Sequence, residues 1–372
     1  MRYRPSLRSV WTLIILGAVC YSLYLWAESS RVDHKMPYYE QKMQAANLME
    51  DALQTLVDFR GEDDQSDSYG DPRLDMIIGQ QFSTITTGIG TFEDKVAGVN
   101  PNFAALIVDF MVEAGVKDGD LVAVGFTGSN PGINIAVLCA CKALGVKPVT
   151  ITAVGSTWWG ANDPDFTWLD MESHLNTKGI IQSVPIAASL GGGLDEAAGL
   201  SAVGRNLLRA AIERNGIPLI SANSVTASSA KRLELFKKYA TVRPFKAYIN
   251  VGEGVASLGH EENGRLIRDG VVRRLPIRNY PARGLVHLMN AEKIPIINLH
   301  DILSLSRKYD LGGAQIPLQP VGEGEVYISE RYNLVVAGIA VGIAMIIILL
   351  ILRLDYKLFR LKDSGVDPET LM

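Results

Sequence analysis

Hydrophobic and polar positions divide the chain into two apolar ends and a mixed central region. Residues 10–27 read VWTLIILGAVCYSLYLWA without a charge, and residues 334–352 read LVVAGIAVGIAMIIILLIL, with no polar residue among them. At about 1.5 Å of rise per residue, each run has nearly the length that crosses the hydrocarbon core of a bilayer. The pattern predicts a transmembrane helix at each end and a soluble body of about 300 residues between them.

A cleaved signal peptide is the alternative interpretation of the first apolar run. The run is long for the apolar region of a signal peptide, and the bulky Leu25 and Trp26 precede Ala27 where small residues are expected. The sequence therefore favours an uncleaved membrane anchor over residues 10–27.

The flanks of the two runs predict their orientation. Arg2, Arg4 and Arg8 precede the first run, and the second is followed by four basic residues, Arg353, Lys357, Arg360 and Lys362. Because basic flanks stay on the cytoplasmic side, we expect residues 1–9 and the basic tail 353–372 in the cytoplasm. Residues 28–333 would then lie on the extracytoplasmic side of the cell membrane, that is, of the inner or plasma membrane.

Residues 28–73 read as a helix followed by an acidic linker. Apolar residues recur at helical spacing in residues 38–59, which predicts a membrane-proximal amphipathic helix. Such a helix could pair with a partner in an oligomer or pack on its own domain, and the second explanation is the simpler. Residues 61–73 (GEDDQSDSYGDPR) are polar and rich in turn formers, as expected of a linker.

Residues 74–333 alternate short apolar runs with helical patterns. Helices are predicted at 133–144 and 196–215, and strands at 121–126, 148–154, 181–187, 217–220, 247–251 and 294–299. Short β-rich runs separated by helices are typical of α/β proteins with a mainly parallel sheet. The predicted fold is therefore a doubly wound sheet with helices on both faces.

Composition and charge exclude some classes of protein. The hydrophobic fraction of 48% fits a globular protein with membrane segments, and a net charge of −4 provides no general attraction to nucleic acid. Three cysteines cannot build a disulfide framework, and Cys139 and Cys141 point to different sides of a predicted helix. These two thiols are expected to be buried and unpaired.

Small, hydroxyl-bearing and glycine residues follow the predicted strands. Ligands of open α/β sheets bind outside the carboxyl ends of the strands, so these residues are candidate ligand contacts. The ligand-binding residues predicted on this basis are Thr127, Gly128, Ser129, Asn130, Gly132, Gly155, Ser156, Thr157, Gly252, Glu253 and Gly254.

The loop GFTGSNPG at residues 125–132 leads into an apolar helix and allows three interpretations. It is a tight turn in which Ser129 or Asn130 caps the helix, an anion site at the helix start, or the position of a nucleophilic Ser129. The loop is neither a Walker loop nor G-x-S-x-G, because the required lysine and flanking glycines are missing.

Catalytic candidates are few. Ser129 or Ser156 could act as a nucleophile with His300 as the base, while the neighbouring Asp301 is better explained as the cap of a helix that begins at Ile302. No spacing of histidines and carboxylates resembles a two-histidine metal site. The sequence predicts neither a metal nor a cofactor.

Arginines are concentrated in residues 265–283, here called the arginine segment. It holds Arg265, Arg268, Arg273, Arg274, Arg278 and Arg283, and Asp269 is the only acidic residue inside it. The segment is either a solvated face or a binding surface for a polymer of carboxylates, whose groups match the planar guanidinium fork.

Several separated motifs resemble the bacterial poly-γ-glutamate system protein family. They are TITTGIG at 84–90, NPNFAALIVDFMVEAGV at 100–116, VGFTGSNPGINIAVL at 124–138, VGSTWWGANDPDFTWLDME at 154–172 and HLMNAEKIPIINLHDI at 287–302. The resemblance covers most of the body and agrees with the layout of two terminal spans.

The resemblance implies an accessory role in making or exporting poly-γ-glutamate, an anionic capsule or secreted polymer. Its implied partners are the ligase and membrane subunits of that system, the polymer itself, the membrane and a possible further copy of the chain. The family has no established catalytic residues, so the resemblance assigns none to this sequence. A cell-surface hydrolase or transferase of γ-glutamyl or related amide bonds is the alternative function.

Overall fold

A computed structural model describes residues 7, 9–60, 69–241 and 243–363, with the backbone alone for 357–363. The chain forms two compact units, Met1–Lys35 with Ile328–Met372, and Met36–Tyr327. Predictions that rest on Arg2, Arg4, Arg8, most of the acidic linker and the basic tail beyond residue 356 lie outside these described residues or side chains.

The secondary structure alternates helices and short strands. The helices are α1 (Val10–Ser29), α2 (Tyr39–Arg60), α3 (Pro72–Ile77), α4 (Phe92–Val99), α5 (Asn102–Glu113), α6 (Pro131–Ala143), α7 (Trp168–Thr177), α8 (Ala202–Arg214), α9 (Val225–Tyr239), α10 (Val255–Leu258), α11 (Asn263–Leu266), α12 (Leu285–Ala291), α13 (Ile302–Lys308) and α14 (Leu334–Asp363). The strands are β1 (Val32–Lys35), β2 (Thr86–Gly88), β3 (Leu121–Thr127), β4 (Lys147–Ala153), β5 (Ser156–Thr157), β6 (Asn162–Asp163), β7 (Phe166–Thr167), β8 (Val184–Ser189), β9 (Phe245–Val251), β10 (Gly270–Val272), β11 (Ile296–Leu299) and β12 (Ile328–Arg331).

The first unit contains the two apolar helices predicted at the ends of the chain. Val10–Ser29 and Leu334–Tyr356 are long and apolar enough to cross a membrane. Strands β1 and β12 pair antiparallel beside them, with Val32 opposite Arg331. The Tyr332 hydroxyl accepts a hydrogen bond from Arg31 at 3.3 Å and donates one to Glu28 at 2.7 Å. The prediction of two apolar terminal helices is confirmed.

The second unit is built on a six-stranded sheet in the order β10-β11-β9-β3-β4-β8. Only β10 runs antiparallel to its neighbour, and the other pairings are parallel, which confirms the predicted mainly parallel sheet. The predicted strand at 217–220 forms a single bridge between Leu219 and Ala188 instead. Pro218 lacks the N–H that a longer ladder needs.

Both faces of the sheet are covered by apolar side chains. Successive residues of β3 point to opposite sides, so Val122 and Val124 join the core that contains α5 and α6, and Ala123 joins the core that contains Phe236 of α9. Helices α4 and α5 form an apolar pair bent by 80° whose residues, such as Phe103, lie inside the first of these cores. Two covered faces are the doubly wound arrangement.

Helix α2, predicted beside the membrane, is a core helix of the second unit. Its apolar stripe, including Ala45, Met49 and Leu53, is fully buried. The buried Lys42 ammonium pairs with Asp109 at 2.8 Å and donates to the Val326 carbonyl at 2.7 Å. Burial of the stripe fixes the helix to its own domain, and the compact unit that contains it is Met36–Tyr327.

A buried carboxyl group lies under the sheet. Glu172 of α7 is 2% exposed and accepts a hydrogen bond from the Thr150 hydroxyl of β4 at 3.2 Å. Burial raises the pKa of Glu172 from 4.5 to about 7. Because the folded pKa lies above the unfolded one, the folded state loses stability as pH rises from 4.5 towards 7 and regains none above it.

We expect Glu172→Gln to remove most of this pH dependence. The rise of the Glu172 pKa from 4.5 to about 7 corresponds to roughly 3 kcal/mol of unfolding free energy. Between pH 4.5 and pH 8 wild type should lose up to about that much stability, and the variant should not. Urea unfolding of the detergent-purified chain followed by tryptophan fluorescence measures it. Glu213→Gln, at an exposed position on α8, is the matched control. Parallel pH profiles for wild type and Glu172→Gln would contradict the assignment.

Candidate functional site

The strand order creates a switch point between β3 and β9. From β3 the chain proceeds through β4 and β8 on one side, and then crosses to β9 and β11 on the other. Connections therefore leave β3 and β9 in opposite directions, and in open α/β sheets the crevice lies outside the carboxyl ends of two such strands. The loops bordering this crevice are residues 127–132 and 252–254, so it lies among the residues predicted from the sequence to contact a ligand.

The loop after β3 is held by side chains rather than by helix capping. Asn130 occupies the N-cap position of α6 without making a capping hydrogen bond, and its Oδ1 accepts from Lys95 Nζ at 2.8 Å. The Ser129 hydroxyl accepts from the Thr157 amide at 3.1 Å. The capping interpretation of Ser129 and Asn130 is wrong, since both side chains are engaged by other elements.

Lys95 is a residue of the crevice that sequence reasoning missed. It projects from α4, is 7% exposed, and forms no ion pair with a carboxylate in the part of the chain that the structure describes. Burial lowers the pKa of Lys95, against the opposing influence of Asp94 and Glu253. In the sequence Lys95 is an ordinary lysine of an amphipathic helix, and only the fold brings it to Asn130.

The loop after β9 forms the opposite wall. Gly252 has φ of 75°, and a Cβ there would lie 2.8 Å from Thr127 Oγ1 and 3.0 Å from Asn130 Nδ2. Thr127 Oγ1 is buried and has no hydrogen-bond partner among the described residues. The Glu253 side chain is 57% exposed, and its Oε1 lies 3.7 Å from His300 Nε2. Thr127 and Asn130 thus meet Gly252 at one place, and Glu253 follows Gly252 in the same loop.

The half-buried carboxylate of Asp269 positions His300 and Asp301. Asp269 Oδ1 accepts from the backbone amides of His300 at 2.9 Å and Asp301 at 3.3 Å, and burial raises the pKa of Asp269. Asp301 caps α13 by accepting from the Ser304 amide at 2.9 Å, which confirms the predicted cap. The edge near His300 therefore carries several carboxylates.

The three catalytic candidates are not joined to one another. Ser156 is fully buried and donates its hydroxyl to the Thr157 carbonyl at 2.9 Å, while Ser129 is engaged by the Thr157 amide. Among the described residues, no hydrogen bond connects either serine with His300, whose side-chain neighbour is Glu253. The pair of nucleophile and base that the hydrolase hypothesis requires is absent from this arrangement.

Most glycines of the strand-end loops contact protein backbone. A Cβ on Gly128 would lie 2.3 Å from the Val154 carbonyl oxygen, and one on Gly132 would lie 2.5 Å from that of Gly98. A Cβ on Gly155 would lie 2.6 Å from Thr87 Cγ2 and 2.8 Å from the Leu190 carbonyl oxygen. These three glycines allow loops to pack against each other, whereas Gly252 faces polar side chains.

A buried ion pair secures the loop after β8. Arg232 of α9 and Asp195 are each 2% exposed and pair at 3.0 Å, and Asp195 also accepts from the Ser189 hydroxyl at 2.7 Å. Asp195 itself has φ of 61°. A space of about 10 Å³ lies between this pair, Thr127 and Asn250, which is room for one water molecule. Sequence reasoning missed this pair because its partners are far apart along the chain.

The arginine segment lies on the surface. Its six arginines are exposed, and three of them donate to backbone carbonyls: Arg268 to Val271, Arg273 to Glu113 and Arg278 to Leu266. Among the described residues, no arginine of the segment forms an ion pair with a carboxylate. At the tip of the same segment Ile277 is fully exposed.

We expect Gly252→Ala to destabilise the protein more than Gly119→Ala. Both glycines have positive φ, 75° and 77°, but a Cβ on Gly119 meets nothing within 4 Å. The Gly119 variant should cost about 1 kcal/mol for its backbone conformation, and the Gly252 variant about 1–3 kcal/mol more for displacing Thr127 and Asn130. Equal losses of unfolding free energy in urea for the two variants would show that Thr127 and Asn130 move aside without cost.

Comparisons with known proteins do not assign the chain to a family. No protein-family model and no curated protein matches it. The chain is similar to the crystal structure of O-ureido-L-serine synthase, with 13% identity over 59% of this chain and 68% of that one, at a TM-score of 0.16. A diaminopropionate ammonia lyase from Escherichia coli is 10% identical over 84% of this chain and 83% of its own, at a TM-score of 0.17. Likenesses this low support no statement about fold or function.

Proposed function

We propose that this protein is a membrane-anchored accessory subunit of poly-γ-glutamate synthesis or export, which binds the anionic polymer on the extracytoplasmic side. The observation that carries the proposal is the arginine segment, whose exposed guanidinium groups lack carboxylate partners within the described residues. The sequence resemblance to the poly-γ-glutamate system family supplies the identity of the polymer.

The chemistry of the arginine segment fits a polymer of carboxylates. A guanidinium group presents two parallel N–H donors to a carboxylate, and several such contacts in a row add up along a chain. Three of the arginines are tied to backbone carbonyls, so less side-chain entropy is lost when the polymer binds. Exposed cations without carboxylate partners need not break an ion pair first.

The orientation of the protein is part of the proposal. Two apolar helices suited to span a membrane lie near the ends of the chain, and basic residues outside them favour cytoplasmic termini. The Met36–Tyr327 unit would then face the outside, where newly made polymer emerges. Among the described residues no hydrogen bond joins Ser129 or Ser156 to His300, which favours a binding role over hydrolysis of amide bonds.

Cysteine labelling in intact cells tests this orientation. Two of the three native thiols provide little background, because Cys139 and Cys141 are fully buried and burial raises the pKa of both, and the third, Cys20, is replaced by serine. We expect Lys238→Cys, at an exposed position on α9, to react with a membrane-impermeant maleimide without permeabilisation. Labelling that appears only after the cells are opened would place the unit in the cytoplasm and overturn the proposed orientation.

Binding of labelled poly-γ-glutamate to the detergent-purified chain tests the arginine segment. We expect affinity to fall as salt rises, and replacement of Arg273, Arg274, Arg278 and Arg283 by glutamine to weaken binding roughly tenfold or more. The control removes the same charge from Arg209, Lys231, Lys238 and Lys246, which are exposed elsewhere. Equal weakening by both sets would mean a general charge effect, and no weakening by either would overturn the proposed surface.

A further inference from the structure

An open groove lies at the amino ends of β9 and β11, on the edge of the sheet opposite to the candidate site. It has a volume of about 540 Å³, and small-molecule pockets typically have roughly 300–1,000 Å³. Its walls come from α9, the start of β9, the end of α12 and the residues just before β11. This space, here called the amino-edge groove, is therefore large enough for a small organic ligand.

The floor of the amino-edge groove is apolar. Phe236 of α9, Phe245 of β9 and Met289 of α12 are buried core residues that line it. Leu233 and Ile294 also line it, and they are only partly buried against the same core. An apolar body placed in the groove would remove the exposed parts of these side chains from water, which favours binding.

The rim of the amino-edge groove carries an excess of positive charge. Lys237, Lys246 and Lys293 line the groove together with a single acidic residue, Glu292. The Glu292 carboxylate pairs with the Lys237 ammonium at 2.7 Å. The exposed side chains of Lys246 and Lys293 form no ion pair or hydrogen bond with any residue that the structure describes. Two ammonium groups are therefore available to an anionic group of a ligand.

We propose that the amino-edge groove binds a single-chain aliphatic carboxylate. Its hydrocarbon chain lies against Phe236, Phe245 and Met289, and its head group lies beside Lys246 and Lys293. A small polar anion would bury none of the apolar floor, and an uncharged hydrocarbon would gain nothing from the two ammonium groups. This site is independent of the arginine segment and does not rest on the proposed function.

A second copy of the chain fits the amino-edge groove less well than an amphiphile does. In a two-fold contact between identical chains the same surface patch meets itself. Such a contact would bring Lys246 and Lys293 of one copy towards the same basic rim of the other. Repulsion between these like charges opposes the contact, whereas a carboxylate head group relieves it.

Photochemical labelling of the full chain in lipid nanodiscs tests the groove. The probe is decanoate with a diazirine at its far end, and mass spectrometry locates the labelled peptides. We expect label in peptides that contain residues 233–240 and 289–295, and also in α1 and α14, which report probe dissolved in the bilayer. At equal free concentration, decanoate should displace the probe from the groove roughly tenfold better than octanoate, because two more methylene groups are buried.

Filling the groove should abolish its labelling without changing that of α1 and α14. We expect this result for Ala240→Trp, because residue 240 lines the groove and an indole there occupies the space of the hydrocarbon chain. The matched control is Ala210→Trp, at an exposed position on α8, which should label as wild type does. Thermal unfolding of both variants verifies that they are folded.

Removing charge from the rim should weaken binding of decanoate more than that of decanol. We expect Lys246→Gln and Lys293→Gln each to reduce displacement by decanoate about twofold to fivefold, as exposed ion pairs do, with less effect at high salt. The control Lys178→Gln changes an exposed lysine at the end of α7, which does not line the groove, and should have no effect.

The possible outcomes identify the occupant of the groove. Label confined to α1 and α14 in wild type, or groove labelling that persists in Ala240→Trp, would overturn the proposal. Decanol that competes as well as decanoate would overturn the choice of a carboxylate, as would unchanged affinity in both lysine variants, which applies even if Ala240→Trp does not fold. If the groove stays unlabelled and Ala240→Trp converts an oligomer to single chains, a second copy is the occupant instead.

Discussion

The contact of glycine backbones at the carboxyl edge of the sheet is the constraint on which the site depends. Loops after β3, β4 and β8 approach so closely that side chains at Gly128 or Gly155 would overlap neighbouring backbone atoms. The buried pair of Asp195 and Arg232 secures the loop after β8 against α9. This half of the edge is therefore filled by the protein itself, and the spaces beside β3 and β9 have room for single water molecules only.

The sequence predicted the architecture more successfully than the chemistry. The predicted strands 121–126 and 247–251 lie within two residues of the bounds of β3 and β9, because buried parallel strands are continuous apolar runs bounded by turn formers. The failure at 217–220 has a local cause, since an apolar run that contains Pro218 lacks a donor for the ladder. The apolar spacing predicts that residues 38–59 are helical, but the burial of α2 depends on partners distant in sequence.

Only part of the candidate site can be predicted from the sequence. Residues such as Thr127 and Gly252 follow strands, and the rule that ligands bind at strand ends brings them together without a structure. Lys95 and Arg232 follow no strand, and they reach the edge only because α4 and α9 pack there. Glycine-rich loops also looked like ligand contacts, whereas at Gly128, Gly132 and Gly155 the close neighbour is the protein itself. Composition cannot tell a glycine that makes room for a ligand from one that makes room for a neighbouring loop.

The distribution of charge separates the arginine segment from the neighbouring strand ends. Carboxylates such as Glu253 and Asp269 surround His300, so a polyanion is repelled along most of this edge. The arginine segment begins beside the same histidine, because a Cβ on Gly264 of α11 would lie 2.1 Å from His300 Nε2. A carboxylate polymer held by the arginines would therefore stay on the surface of the segment, because the acidic border beside His300 repels it.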